Sequence, residues 1–229
     1  MIKAVLFDLD NTLLDFYNTK IKCAKASIKA MTRAGMKMNR KEAFNELMHV
    51  YRVSSYEDPL IFEHFLKKKF GSIDYKVLSA AIVAYRRISY TRLIPYEGVP
   101  ETLRKLRRKG IKLGIVTDAP RLKAWVRLTN AGLSDYFNIV ITLGDSKRRK
   151  PHKTPFRKAL RMLKVKPEEV LFVGDNLEKD IAGAKSIGMQ TAFARYGSFL
   201  RKKPANDSEK PDYVLKKFKE LTRLVLERK

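Results

Sequence analysis

The sequence predicts an α/β protein, a doubly wound parallel sheet interrupted after its first strand by a small all-helical domain. Three observations carry this expectation. Short apolar runs, of about four to eight residues, alternate with helical patterns as repeated βα units do. Several of these runs end in Asp, Thr or Gly-Asp. Between residues 16 and 92 the strand-like runs vanish and only helical periodicity remains.

The first run, residues 2–9, reads Ile-Lys-Ala-Val-Leu-Phe-Asp-Leu. Near-continuous apolarity ending in carboxylates fits a strand buried on both faces of a parallel sheet. Phe44, Leu47, Met48 and Tyr51 then fall at i, i+3, i+4 and i+7, one face of a helix. Ile61, Phe65 and Leu66 repeat the spacing, as do Val77, Ala81, Ile82 and Tyr85, with Gly35, Pro59 and Gly71 as punctuation. The α/β rhythm resumes at Pro95. A helix over 99–109 closes at Gly110, a strand covers 112–117, and a helix carrying Trp125 and Leu128 runs to Gly132. A strand over 139–142, a helix over 155–163, a strand over 170–173, a helix over 177–187 and a strand over 190–193 follow. A polar loop, 201–211, leads to a last strand at 212–215 and a basic amphipathic helix reaching 228. The expected domains are residues 1–16 with 93–229, α/β, and residues 17–92, helical.

With 229 residues, the chain suffices for one core plus a smaller helical module. Hydrophobic residues at 45% and charged ones at 32% exclude wholesale disorder. No apolar run reaches the ~18 residues a membrane helix needs, so no bilayer span is expected. The first seven residues run straight into Asp8 and Asp10, unlike a signal peptide, and the single cysteine, Cys23, cannot form an internal disulfide. A reducing cytoplasm is the expected compartment. The net charge of +25 suits attraction to polyanions, but +10 of it lies on residues 16–92 and +15 on the rest. So even a spread is more like a solvated surface than a nucleic-acid-binding patch. Nucleic acid therefore remains a secondary partner.

Four clusters follow apolar runs. Asp8-Leu9-Asp10-Asn11-Thr12 places two carboxylates just past the first strand, where open α/β sheets bind ligands. An ionised carboxylate attacks phosphorus without an activating base, and oxygen ligands suit Mg2+. Thr117-Asp118 offers a hydroxyl and N–H groups to phosphoryl oxygens, though threonine there equally caps a helix. Lys150-Pro151 sits in a basic run that taken alone reads as a solvated face. Gly174-Asp175 follows the 170–173 strand, with Asp180 placed one helical turn further on to orient the lysine. Acids at a helix start are also ordinary dipole caps. What distinguishes the four is order: each follows a predicted parallel strand, so all can meet at one sheet edge.

This set, Asp8-x-Asp10-x-Thr12, Thr117, Lys150-Pro151 and Gly174-Asp175-(x)4-Asp180, resembles the haloacid dehalogenase-like (HAD) hydrolase superfamily. Pro95-Tyr96-Glu97-Gly98-Val99, Ala131-Gly132-Leu133 and Asp180-Ile181-x-Gly183-Ala184-Lys185 look like the subfamily with a helical cap between the first two motifs. The resemblance implies a Rossmann-like core and a phosphatase for a small phosphorylated substrate. Asp8 would be the nucleophile, Asp10 the general acid/base, and Asp8, the Asp10 carbonyl and Asp175 the Mg2+ ligands. Thr117, the Asp118 backbone and Lys150 would bind the phosphoryl group, with Asp180 behind the lysine.

Within the superfamily, the pair Asp10 and Asp175 argues against dehalogenation. A phosphomutase keeps the same motifs, and a phosphonate hydrolase would use a cap lysine, of which Lys20, Lys22 and Lys25 are candidates. A non-enzymatic nucleic-acid-binding role is the reading from a different class. His49 and His64 are expected on helix surfaces, while His152 and the helical-domain residues Tyr56, Arg86 and Arg87 are weaker candidates for substrate contact.

Overall fold

The computed structural model describes residues 1–227. They fall into two compact units, Met1–Asp15 with Ile94–Lys229, and Phe16–Leu93. The division lies one residue from the expected positions at each junction, because Phe16 already opens the first helix and Leu93 caps the last one of the insertion.

The discontinuous unit is built on six parallel strands: β1 (Ala4–Phe7), β2 (Lys112–Val116), β3 (Ile139–Ile141), β4 (Val170–Gly174), β5 (Gln190–Ala194) and β6 (Tyr213–Leu215). Their order is β3-β2-β1-β4-β5-β6, so the chain leaves β1 toward one edge and then returns to build the other. β1 is fully buried, which explains its unbroken apolar sequence. In register, Phe7 lies level with Ile115 on β2 and Val173 on β4. Asp8 is therefore one residue beyond the paired segment, and Thr117 and Asp175 are two beyond on the flanking strands. The switch in strand order falls at β1, the place where open α/β sheets bind their ligands beyond the carboxyl ends of the strands.

The insertion contains α1 (Phe16–Ala34), α2 (Arg40–Val53), α3 (Ile61–Phe70) and α4 (Tyr75–Arg92). Asn39 and Asp74 cap α2 and α4 by accepting backbone N–H bonds. Leu47, Met48, Tyr51, Phe65, Leu66, Val77 and Ala81 meet Ile28 and Met31 of α1 in one core, the faces that helical spacing had marked.

The remaining helices are α5 (Val99–Arg108), α6 (Arg121–Asn130), α7 (Leu143–Ser146), α8 (Lys153–Leu163), α9 (Gly183–Lys185) and α10 (Glu220–Leu226). Two differences from expectation bear on the site. The short α7 was not foreseen; Thr142 and Asp145 form a capping box around a single turn. The helix expected over 177–187 is instead a π-helical turn, Leu177–Ala182, followed by α9. Asn176 O accepts from both Asp180 N (2.9 Å) and Ile181 N (3.3 Å), which widens the turn. Residue 228 of the expected C-terminal helix lies outside the described residues. Among the described residues no helix is long and apolar enough to cross a membrane.

Candidate active site

The turn after β1 is set by its own backbone. Asn11 adopts a left-handed conformation (φ 60°), tolerable for asparagine, and its N–H bonds Leu14 O at 2.7 Å. Leu13 and Leu14 N–H groups bond back to Leu9 O. Asp8 N bonds Val173 O at 2.9 Å, fixing the Asp8 backbone against β4.

Lys150, between α7 and α8, is buried and its ammonium bridges two acids. Nζ lies 2.6 Å from Asp8 Oδ1 and 2.6 Å from Asp180 Oδ1. The second Asp180 oxygen accepts from Asn176 N at 3.0 Å, so the widened turn and the lysine together fix this carboxylate. Gly174 is required beside it: a Cβ there would come within 2.5 Å of Asp180 Cγ. The Asp118 carboxylate accepts from Lys150 N at 2.9 Å through Oδ1, while Oδ2 is buried without a hydrogen-bond partner. Thr117 is buried, with its oxygen accepting from Ala119 N at 3.1 Å, which leaves its O–H to donate.

Ligand oxygens of Asp8, Asp175 and Asp180 lie within 4.8 Å of one another. Asp10 lies close enough for its charge to act on Asp8 and Asp175, and its carboxylate accepts from Arg127 Nη1 on α6 at 2.5 Å. His152, the weaker substrate candidate, is exposed and caps α8 by accepting from Thr154 N. His64 is exposed and pairs with Asp58 at 2.8 Å, and His49, Arg86 and Arg87 are also exposed.

The electrostatics follow from packing several acids around one lysine. Burial pushes the Asp8 carboxyl up to about 7, and repulsion from Asp180 and Asp10 adds to it, against the opposing attraction of Lys150. Asp175 is raised well above its ordinary value by burial and by repulsion from Asp8 and Asp180. Burial works against the Lys150 charge, but Asp180, Asp8 and Asp118 outweigh it and hold the ammonium above its ordinary pKa. The lysine is thus charged throughout, and Asp8 is the partner left short of positive charge. An all-oxygen donor set in negative excess, with Asp8 and Asp175 driven toward protonation, fits a hard divalent cation. Asp8 and Asp175 are the side chains suited to hold it, since both Asp180 oxygens are already engaged.

Arg127 was not anticipated. Its signal lies in spacing: Ala124, Arg127 and Leu128 fall at i, i+3 and i+4, and all three are buried, so the arginine sits on the apolar face of α6.

Strand order and site together define an open α/β protein with a buried acidic cluster at its switch point, the place where such sheets bind ligands. The chain belongs to the haloacid dehalogenase-like hydrolases, whose family model matches residues 5–194. It is 36% identical over 229 residues to the glyceraldehyde 3-phosphate phosphatase of Methanopyrus kandleri, covering 99% of this chain and 98% of that one. It is 33% identical over 227 residues to pyrophosphatase PpaX of Bacillus thuringiensis, covering 96% and 94%. The crystal structure of a HAD phosphatase from Thermococcus onnurineus superposes with a TM-score of 0.69 at 29% identity, covering 98% of each chain.

Proposed function

We propose that this chain is a Mg2+-dependent phosphatase that hydrolyses a small phosphomonoester through an aspartyl-phosphate. The observation that carries the reading is Lys150, held at 2.6 Å from both Asp8 and Asp180 in a buried site that also contains Asp175. In this reading an Asp8 oxygen attacks phosphorus while the ester oxygen departs. Asp10 protonates that oxygen, then removes a proton from the water that cleaves the aspartyl-phosphate, releasing inorganic phosphate and restoring Asp8. Lys150, the Thr117 hydroxyl and the Asp118 backbone N–H receive the phosphoryl oxygens, and Asp180 holds Lys150 in place. Asp8, Asp175 and the Asp10 carbonyl are the ligands assigned to Mg2+, which when bound supplies positive charge against the phosphoryl oxygens. Asp8 must be ionised to attack, and a carboxyl near 7 in the cation-free protein responds strongly to charge placed beside it.

Residues 16–93 are assigned as the helical cap of this branch, and substrate choice is assigned to them. The names of the relatives support glyceraldehyde 3-phosphate as the first compound to try and pyrophosphate as the second. Other sugar phosphates, nucleotides, phosphoglycolate and phosphoamino acids complete the screen, each with Mg2+ and with EDTA. The single buried thiol, Cys23, is consistent with a cytoplasmic setting.

Asp8→Asn tests the assignment directly. Turnover of p-nitrophenyl phosphate should fall to background while the circular dichroism spectrum and melting remain those of a folded protein. An Asp8→Asn enzyme that turns over near the wild-type rate removes the nucleophile and the mechanism with it.

A further inference from the structure

Arg127 lies outside the four strand-end clusters, yet it is only 7% exposed and its guanidinium meets Asp10 Oδ2 at 2.5 Å. Taking a guanidinium out of water costs several kcal/mol unless acceptors meet it, so a buried arginine on a helix face is retained against a standing penalty. Two buried cations of this site meet different acids. Lys150 bonds Asp8 and Asp180, and Arg127 bonds Asp10. The backbone of the Asn11 turn fixes where the Asp10 Cα sits, but not which way its carboxylate faces. Arg127, anchored on a packed helix with a rigid planar donor set, holds one oxygen of that carboxylate.

We infer that Arg127 is the positioning residue for proton transfer at Asp10, holding one carboxylate oxygen so that the group faces the ester oxygen and then the attacking water. The inference rests on the phosphatase reading above. Proton-transfer groups need their targets within hydrogen-bond reach, and a displacement of about 1 Å costs on the order of 10²-fold in rate.

The test compares leaving groups. kcat/KM reports the steps through departure of the ester oxygen. An alkyl alkoxide needs the proton that Asp10 supplies, whereas p-nitrophenolate leaves with little help. In Arg127→Met, kcat/KM for the best alkyl phosphate of the screen should fall by ~10- to 100-fold, while that for p-nitrophenyl phosphate should fall by less than ~3-fold. Arg127→Lys should recover part of the alkyl phosphate loss. In an Asp10→Asn background, Arg127→Met should add almost nothing, since the two side chains act as one unit. Equal losses on both esters, or a full additional loss in the Asp10→Asn background, would mean a structural or phosphate-binding role and overturn the inference. Should Arg127→Met not fold, Arg127→Gln carries the same comparison. A wild-type chain that cleaves neither ester defeats the phosphatase reading itself, and this inference falls with it.

Discussion

Among the described residues two lysines are buried, one in each unit, and they are accommodated by different physics. Lys150 is 4% exposed and its ammonium lies between two carboxylates at 2.6 Å each. Lys20, in α1, is 9% exposed and its ammonium meets the Tyr85 hydroxyl at 2.5 Å, with the rings of Tyr85, Phe16 and Tyr51 5.0, 5.2 and 5.5 Å away. Aromatic faces offer a cation the negative side of a quadrupole, worth ~0.5–2 kcal/mol each depending on solvation. Formal charges in a low-dielectric pocket interact far more strongly, and every group there changes when one is removed. The comparison teaches that burial of a lysine is not in itself a sign of chemistry. The sign is a lysine paired with a buried acid whose own proton affinity is perturbed, as Asp8 is here.

The largest effect expected from this contrast is at Lys150. Lys150→Met keeps length and apolar bulk but leaves Asp8 and Asp180 facing one another without their cation. Removing one partner of a buried pair destabilises by ~3–5 kcal/mol. Turnover should fall by at least ~10²- to 10³-fold, the loss typical of removing one donor from a developing anion. Denaturant unfolding and steady-state rates on p-nitrophenyl phosphate read the two effects separately. A Lys150→Met enzyme with normal kcat and normal stability would erase the distinction between the two lysines.

A second effect is a pH dependence of stability confined to the acidic cluster. The folded Asp8 carboxyl titrates at about 7, against 3.8 for the free group, so between those values the folded chain holds a proton that the unfolded chain has lost. Stability of the cation-free protein therefore falls as pH rises from about 4 to about 7, by a few kcal/mol at most from this group, and Asp175 acts in the same sense. Mg2+ should reverse the trend, because it binds the ionised carboxylates and releases their protons. Melting temperatures measured across that window in EDTA and in Mg2+ give the two slopes. Asp8→Asn should flatten the EDTA slope, and an unchanged slope in that variant would place the effect elsewhere.

Much of this was legible in the sequence because parallel sheets expose their chemistry at strand ends. An apolar run that stops at Asp8, Thr117 or Gly174-Asp175 names both a strand and the end where ligands bind, without knowledge of the packing. Lys150 was legible only through its order relative to the others, since the basic run around it has the composition of a surface. What escaped notice depends on contacts distant in sequence. Arg127 bonds a residue 117 positions away, and nothing within α6 except its place on the apolar face marks it. The π-helical turn accompanies Asp180 bonding both Lys150 and the Asn176 N–H, contacts invisible to helical periodicity. Lys20 was named only alongside Lys22 and Lys25, and its burial was not legible, for a related reason. Lys20, Cys23, Ala24, Ser27, Ile28 and Met31 form one buried stripe, yet a lysine at the start of a basic helix reads as solvated.

The smallest expected effect sharpens the comparison most, because it concerns the lysine that resembles a reactive one. An ammonium in an apolar, aromatic setting is also what a Schiff-base lysine requires, so burial alone does not separate the two roles for Lys20. Its surroundings favour packing: Ser27 and Cys23 on the same stripe bond the carbonyls of Ala81 and Tyr85 on α4, at 3.0 and 3.7 Å, and tie Lys20 into the α1–α4 contact. Replacing a buried cation by an apolar side chain of similar volume is often near neutral. Lys20→Met should accordingly shift stability by no more than ~2 kcal/mol and leave turnover of p-nitrophenyl phosphate within ~3-fold of wild type. Treatment with borohydride in the presence of a phosphonoaldehyde should inactivate neither protein. Inactivation of the wild type alone, with Lys20→Met resistant, would make Lys20 a covalent catalyst, and the aromatic cage would then be read as the device that keeps its amine reactive.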